Sequence, residues 1–244
     1  MGQQESVQIC RGFTVEQWRR LKEQLVQNDR LKDDDAPWRC AIRVFERRIR
    51  ERFLLCIEVL QESDPRADVR VPDDARADCS TIPDDSEQAM VPGFAIMALS
   101  CLLLETLESF YRTPGDAGAL DPPCGFPDGP CIRPQGTTMA LVKFLRRPAF
   151  KGAFGDLKVA ADFANGIRNG IFHDAETRKW LIRRERPAGQ IIGQEGERRI
   201  VNRTAFYKAL KAEFEDYLRE LQNKQNTELR KAFIRKMDQL VDKC

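Results

Sequence analysis

Arg168, Asn169 and His173 place a permanent cation, an amide and the chain's only histidine within one short string, Arg168-Asn169-Gly170-Ile171-Phe172-His173. Imidazole is the one side chain whose ordinary titration spans neutral pH, so a single histidine concentrates proton-transfer capacity at one position. Arginine keeps its charge throughout and matches phosphate geometry. Asn169, between them, can orient either. A general base beside a fixed cation is the equipment that phosphodiester cleavage requires. RNA supplies its own nucleophile in the 2′-hydroxyl, so such chemistry calls for no metal and no cofactor. The competing reading of His173 is a histidine at a helix C-terminus, held there by the macrodipole alone.

The elements around this string are helical in pattern. On an ideal α-helix from Asp156 to His173, Asn165, Asn169 and His173 fall at i, i+4 and i+8 on one polar stripe. Arg168 flanks that stripe, and Val159, Phe163, Ile167 and Ile171 form an apolar side. Thr14 and Gln17 make a capping box for a helix running to about Asn28. Ile42, Phe45, Ile49, Phe53, Cys56, Ile57 and Leu60 mark one face of a helix from Arg39 to Gln61. A helix from Pro92 to Arg112 is apolar almost all round and therefore central. Its Glu105 is either a satisfied core carboxylate or a group near the site. A short helix covers Thr137 to Leu145. Phe206, Leu210, Phe214, Tyr217 and Leu221 form the buried stripe of a helix that begins at Thr204, and Leu229, Phe233, Met237 and Leu240 resume it after a break at Asn223 to Thr227. Trp180 to Arg184, Gln190 to Ile192 and Arg199 to Val201 suggest a small β-hairpin before that helix.

Two segments read as long loops. Residues 63–91 are acidic and contain proline, and residues 113–136 carry the proline- and glycine-dense string PPCGFPDGP. Three units follow: an N-terminal helix and linker at 1–38, a bundle at 39–222, and a helical extension at 223–244. The expected fold is mainly α.

Composition narrows the function. Hydrophobic residues make up 42% and charged residues 32%, as in soluble globular proteins. Net charge is only +2, so nucleic-acid binding must use local patches such as Arg43 to Arg52, Arg146-Arg147, Arg183-Arg184-Arg186 and Arg198-Arg199. Each patch reads equally as a solvated face. The eight cysteines include no CxxC pair, and with one histidine no zinc-finger spacing can be assembled. Cys56 and Cys101 read as small core residues, and Cys124 and Cys131 share one loop. The apolar run from Gly93 to Leu104 is short for a bilayer and ends at Glu105. The first six residues fit a loose N-myristoylation pattern without a polybasic partner. Cytoplasmic residence is expected.

Arg168-Asn169, three residues, then His173 resembles the signature of the HEPN superfamily of helical domains. Ala98 to Arg112 resembles that family's central helix, and Asp174 to Arg178 extends the motif as in uncharacterised bacterial members. The resemblance covers roughly residues 39–222. It implies a helical bundle that dimerises so that two motifs face one cleft. It also implies metal-independent endoribonuclease activity leaving a 2′,3′-cyclic phosphate and a 5′-hydroxyl. Many relatives act as toxins or effectors of anti-phage and abortive-infection systems, which would add an antitoxin or defence-system partner. By carry-over, His173 is the base or acid, Arg168 the phosphate ligand and Asn169 the orienting residue. Asn165, Glu105 and Arg178 are candidate supporting or RNA-contacting residues. Relatives controlled by AMP attachment carry a tyrosine two residues after the histidine, where this chain has Ala175. A second expectation, of a different class, is a catalytically silent bundle that binds RNA or docks a partner.

Overall fold

A computed structural model describes residues 7–26, 31, 36–63, 92–111 and 137–243. Its core is built on helix α4 (Gly93–Tyr111), an almost uninterrupted apolar run. Ile96, Met97, Cys101, Leu103, Leu104, Leu107 and Phe110 are all fully buried, so a helix apolar on nearly every face occupies the centre. By length and composition α4 could also cross a membrane; here it is packed among protein helices.

Helix α1 (Val15–Val26) starts at the capping box expected from sequence. The Gln17 N–H donates to Thr14 Oγ1 at 3.2 Å, and the Thr14 N–H donates to Gln17 Oε1 at 2.8 Å. Before it lies a hairpin that the alternation was too short to reveal, β1 (Gln8–Cys10) and β2 (Phe13–Thr14). Helix α2 (Ala36–Ile49) continues through a π-helical turn, π1 (Arg50–Leu54), into α3 (Leu55–Glu62). That wide turn corrects one expectation. An i→i+5 turn advances the helix face by a residue, so Leu54 and Ile57 enter the core while Cys56 turns outward and is exposed. Cys101 is buried as expected.

Helix α5 (Thr137–Phe144) is followed by α6 (Pro148–Phe154), which the pattern did not show. Pro148 does not merely end the preceding helix; it opens a new one, its fixed φ suiting the first helical position. Helix α7 (Leu157–Phe163) carries an N-cap at Asp156 and runs on as a second π-helical segment, π2 (Ala164–Asp174). Three strands follow: β3 (Trp180–Arg183), β4 (Ile192–Glu195) and β5 (Arg198–Asn202). They form one mixed sheet in the order β3-β5-β4, with β3 parallel and β4 antiparallel to β5. The expected hairpin is therefore β4–β5, placed later than the Gln190–Ile192 signal, and the Trp180 strand joins its other edge. Asn202 caps α8 (Arg203–Gln222), accepting from the Ala205 N–H at 3.0 Å, and α9 (Thr227–Val241) follows.

Phe45 on α2 gathers Phe110, Phe214, Tyr217 and Phe233, the nearest ring centroid 4.5 Å away. Trp18 of α1 and Trp38 of α2 both meet Phe233 of α9, so α1 and α9 share the core of the bundle. A second aromatic group, Phe150, Phe154, Phe163, Phe206 and Trp180, ties α6, α7, the sheet and α8 together behind the motif segment. The two long loops (64–91 and 112–136), the myristoylation pattern and Cys124 and Cys131 lie outside the described residues.

Candidate active site around Arg168 and His173

The motif sits almost wholly on π2, and this changes its geometry. On an α-helix, positions five apart diverge by about 140° around the axis. In an i→i+5 ladder they become successive neighbours along one side, as i and i+4 are in an α-helix. Arg168 and His173 are five apart. The stripe expected for Asn165, Asn169 and His173 therefore runs on a wider helix, where Asn165 and Asn169 remain side by side and position 168 comes round toward position 173. His173 comes at its last turn, just before the left-handed cap residue Ala175 (φ 53°).

Side-chain bonds lock the lower part of this face. Arg168 Nε donates to Glu105 Oε1 at 2.8 Å, and Arg168 Nη1 donates to Asn169 Oδ1 at 2.9 Å. Asn169 Nδ2 in turn donates to Asn165 Oδ1 at 3.2 Å. The Phe172 ring lies 5.2 Å from the guanidinium carbon, close enough for a cation–π contact. Glu105 therefore belongs with the motif and is not an isolated core carboxylate. It reaches π2 because α4 packs against that segment. The Arg168 and Glu105 side chains are 15% and 14% exposed, a shielding at which their attraction exceeds that of a surface pair. A guanidinium has further N–H donors beyond the two engaged here, and among the described residues nothing accepts from them. Arg168 is thus held in place with donors to spare for a phosphate.

His173 is exposed, and among the described residues it makes no hydrogen bond or ion pair. Its imidazole is available to solvent or to a substrate. Arg178 is not brought to the cluster: it pairs with Asp174 at 2.9 Å on the exposed side of the following turn. Cys101, one helical turn before Glu105, is no nucleophile. Burial and the neighbouring Glu105 charge push its thiol pKa well above the ordinary range, outweighing Arg168.

Two glycines on π2 were not singled out by the sequence reading. A Cβ at Gly166 would collide with the Trp180 indole, and one at Gly170 with the Glu176 carbonyl oxygen. Gly166 lets the Cδ1–Nε1 edge of the Trp180 indole approach π2, where its Nε1 donates to Asp162 Oδ2 at 3.1 Å. Gly170 lets the chain fold back after Ala175, its carbonyl accepting from the Glu176 N–H at 3.1 Å. Their spacing of four inside a helix was the available signal, since helices disfavour glycine unless something approaches closely. Phe172 was also missed as a site residue, because an aromatic on a helix reads first as core.

No family model matches the chain, and no curated protein or solved structure matches it significantly.

Proposed function

We propose that the protein is a metal-independent endoribonuclease of HEPN type, acting in the cytoplasm as a homodimer. The observation that carries this reading is the Glu105–Arg168–Asn169–Asn165 cluster on a π-helical segment that also carries the exposed His173, five residues after Arg168. A purely structural arginine would be expected to spend its donors internally, and the exposure of His173 at the end of π2 leaves its imidazole open to a substrate. In this mechanism His173 takes the proton from the RNA 2′-hydroxyl, and the 2′-oxygen bonds to phosphorus as the bond to the 5′-oxygen breaks. Arg168 stabilises the charge that builds on the phosphate oxygens. The departing 5′-oxygen takes a proton from His173 of the partner subunit, protonated at the start. The products are a 2′,3′-cyclic phosphate and a 5′-hydroxyl.

One protomer offers one imidazole, so acid and base together require two copies. An isologous contact about a two-fold axis places two of each group in one cleft. Phe172, exposed on π2 and against the Arg168 guanidinium, leaves apolar surface at the motif for such a contact. The role of toxin or anti-phage effector, with an antitoxin or defence-system partner, rests on the resemblance alone. A second reading is a silent RNA-binding or partner-docking bundle. It is favoured by one observation: Glu105 neutralises part of the Arg168 charge before any substrate arrives. Incubating purified protein with bulk RNA in EDTA decides between them. Fragmentation by the wild type and none by His173→Ala supports the nuclease; intact RNA with both supports the silent bundle.

A further inference from the structure

A second feature lies away from the motif, where the N-terminal hairpin meets α2. A cavity of about 350 Å³ opens between the β1–β2 turn and α2, lined by Arg11, Arg39, Arg43 and Arg47 and backed by Cys10, Phe13, Ala36 and Val44. Arg39, Arg43 and Arg47 recur every four residues and so share one face of α2. Its volume lies within the range of small-molecule pockets, about 300–1,000 Å³. Among the described residues, no carboxylate lines it.

The walls are fixed independently of any ligand. Glu51 accepts from the Arg11 N–H at 2.9 Å and from Arg47 Nε at 2.8 Å, pinning the hairpin turn to the helix. Those two bonds hold the Glu51 carboxyl below the usual carboxylate range. Arg48 Nη1 donates to the Ile9 carbonyl at 2.7 Å, anchoring the strand. Glu51 thus answers Arg47, while among the described residues no carboxylate pairs with the side chains of Arg11 or Arg43. Arg11 and Arg43 bring like charge to one cavity, and an anion between them would offset their repulsion.

We propose that this cavity binds a small organic phosphate, its phosphoryl oxygens held by Arg11 and Arg43 and its apolar part resting on Phe13 and Val44. Arginine suits the site because its planar fork meets phosphate oxygens two at a time. The proposal does not depend on the ribonuclease reading.

Isothermal titration of the full chain with ADP, inorganic pyrophosphate and adenosine tests it. Saturable ADP binding that exceeds pyrophosphate binding, with none by adenosine, is expected. Arg43→Ala and Arg11→Ala, both exposed positions, should each weaken ADP binding about tenfold to a hundredfold with an unchanged melting temperature. His173→Ala should bind ADP as the wild type does. Absent ADP binding, or binding indifferent to both arginine variants, overturns the site. Pyrophosphate binding as tight as ADP overturns the organic part of the assignment. An acidic run, Asp33-Asp34-Asp35, precedes Ala36 in sequence. ADP binding that appears only after all three are changed to Asn would make that run the occupant and overturn the proposal. Arginine-dependent binding of a single-stranded RNA ten-mer without ADP binding would likewise replace it with an RNA surface.

Discussion

Arg168 has two of its donors committed to Glu105 and Asn169, and this division of labour sets what each substitution should do. On the proposed mechanism, Arg168→Ala removes the fixed charge that each protomer turns toward a bound phosphate and should lower RNA cleavage about 10²–10³-fold. Arg168→Lys should recover little, because an ammonium cannot hold Glu105, Asn169 and a phosphate in one plane. Asn169→Ala should cost less, since it orients the guanidinium and moves no proton. Single-turnover rates on one labelled RNA check the order. At this scale the sequence was most informative, because the triad is contiguous and its chemistry belongs to residue types. Glu105 was nominated from its oddity on an apolar helix, but its partner was not visible, being 63 positions away. Among the described residues, Arg178 makes no bond to the Arg168 cluster; it pairs with Asp174, the residue after His173, and stays half exposed.

The π-helical segments decide how the residues face. Helical wheels drawn at α spacing cannot register an i→i+5 ladder, so Cys56 was misplaced and the approach of position 168 to position 173 was not legible, although the Asn165–Asn169 neighbourhood was. The periodicities of α4, α8 and α9 contain no such turn, and their buried faces were legible. Strand order was not, since parallel pairing of Trp180–Arg183 with Arg199–Asn202 is a long-range choice. Gly170→Ala forces the Glu176 carbonyl away and should destabilise the protein by about 1–3 kcal/mol while lowering cleavage. Thermal melts paired with rates on the surviving folded fraction would show both losses. The register at π1 has its own test. In the native protein Cys56 should react with a thiol reagent and Cys101 only after unfolding, as mapped by mass spectrometry. An unreactive Cys56 would restore the α-helical register.

At the scale of the whole molecule, long-range polar ties complement the aromatic core. Arg230 is fully buried and bonds to the carbonyls of Leu221, Gln222 and Leu31, closing the end of α8 against α9 and the first helical pair. Glu58 joins α3 to α8, accepting from the Tyr207 hydroxyl at 2.8 Å and from Lys211 Nζ at 3.0 Å. The Tyr207 bond, and then Lys211, lower the Glu58 carboxyl pKa from its ordinary 4.5. A depressed folded-state pKa means that this tie contributes fully above the unfolded value and is lost as pH falls through the folded one. Chemical-denaturation midpoints followed from pH 6 to pH 3 should therefore fall less steeply for Glu58→Gln than for the wild type. Equal slopes would show that Glu58 is not the titrating tie. That α1 and α9 share one core with the motif-bearing helices was not legible from the break at Asn223 to Thr227 or from the polar stretch after Asn28, because a short connection says nothing of where the next helix packs.

The central claim is that His173 and Arg168 cleave RNA through its own 2′-hydroxyl, and the chemistry of the product ends tests it most directly. A single RNA should be cut in EDTA and its fragments analysed by mass, beside the same RNA carrying a 2′-deoxy residue at the cut position. The account predicts 2′,3′-cyclic phosphate and 5′-hydroxyl ends, no cut at the deoxy position, and no products from His173→Ala. Cleavage of the deoxy substrate, 5′-phosphate ends, or full activity in His173→Ala would contradict it.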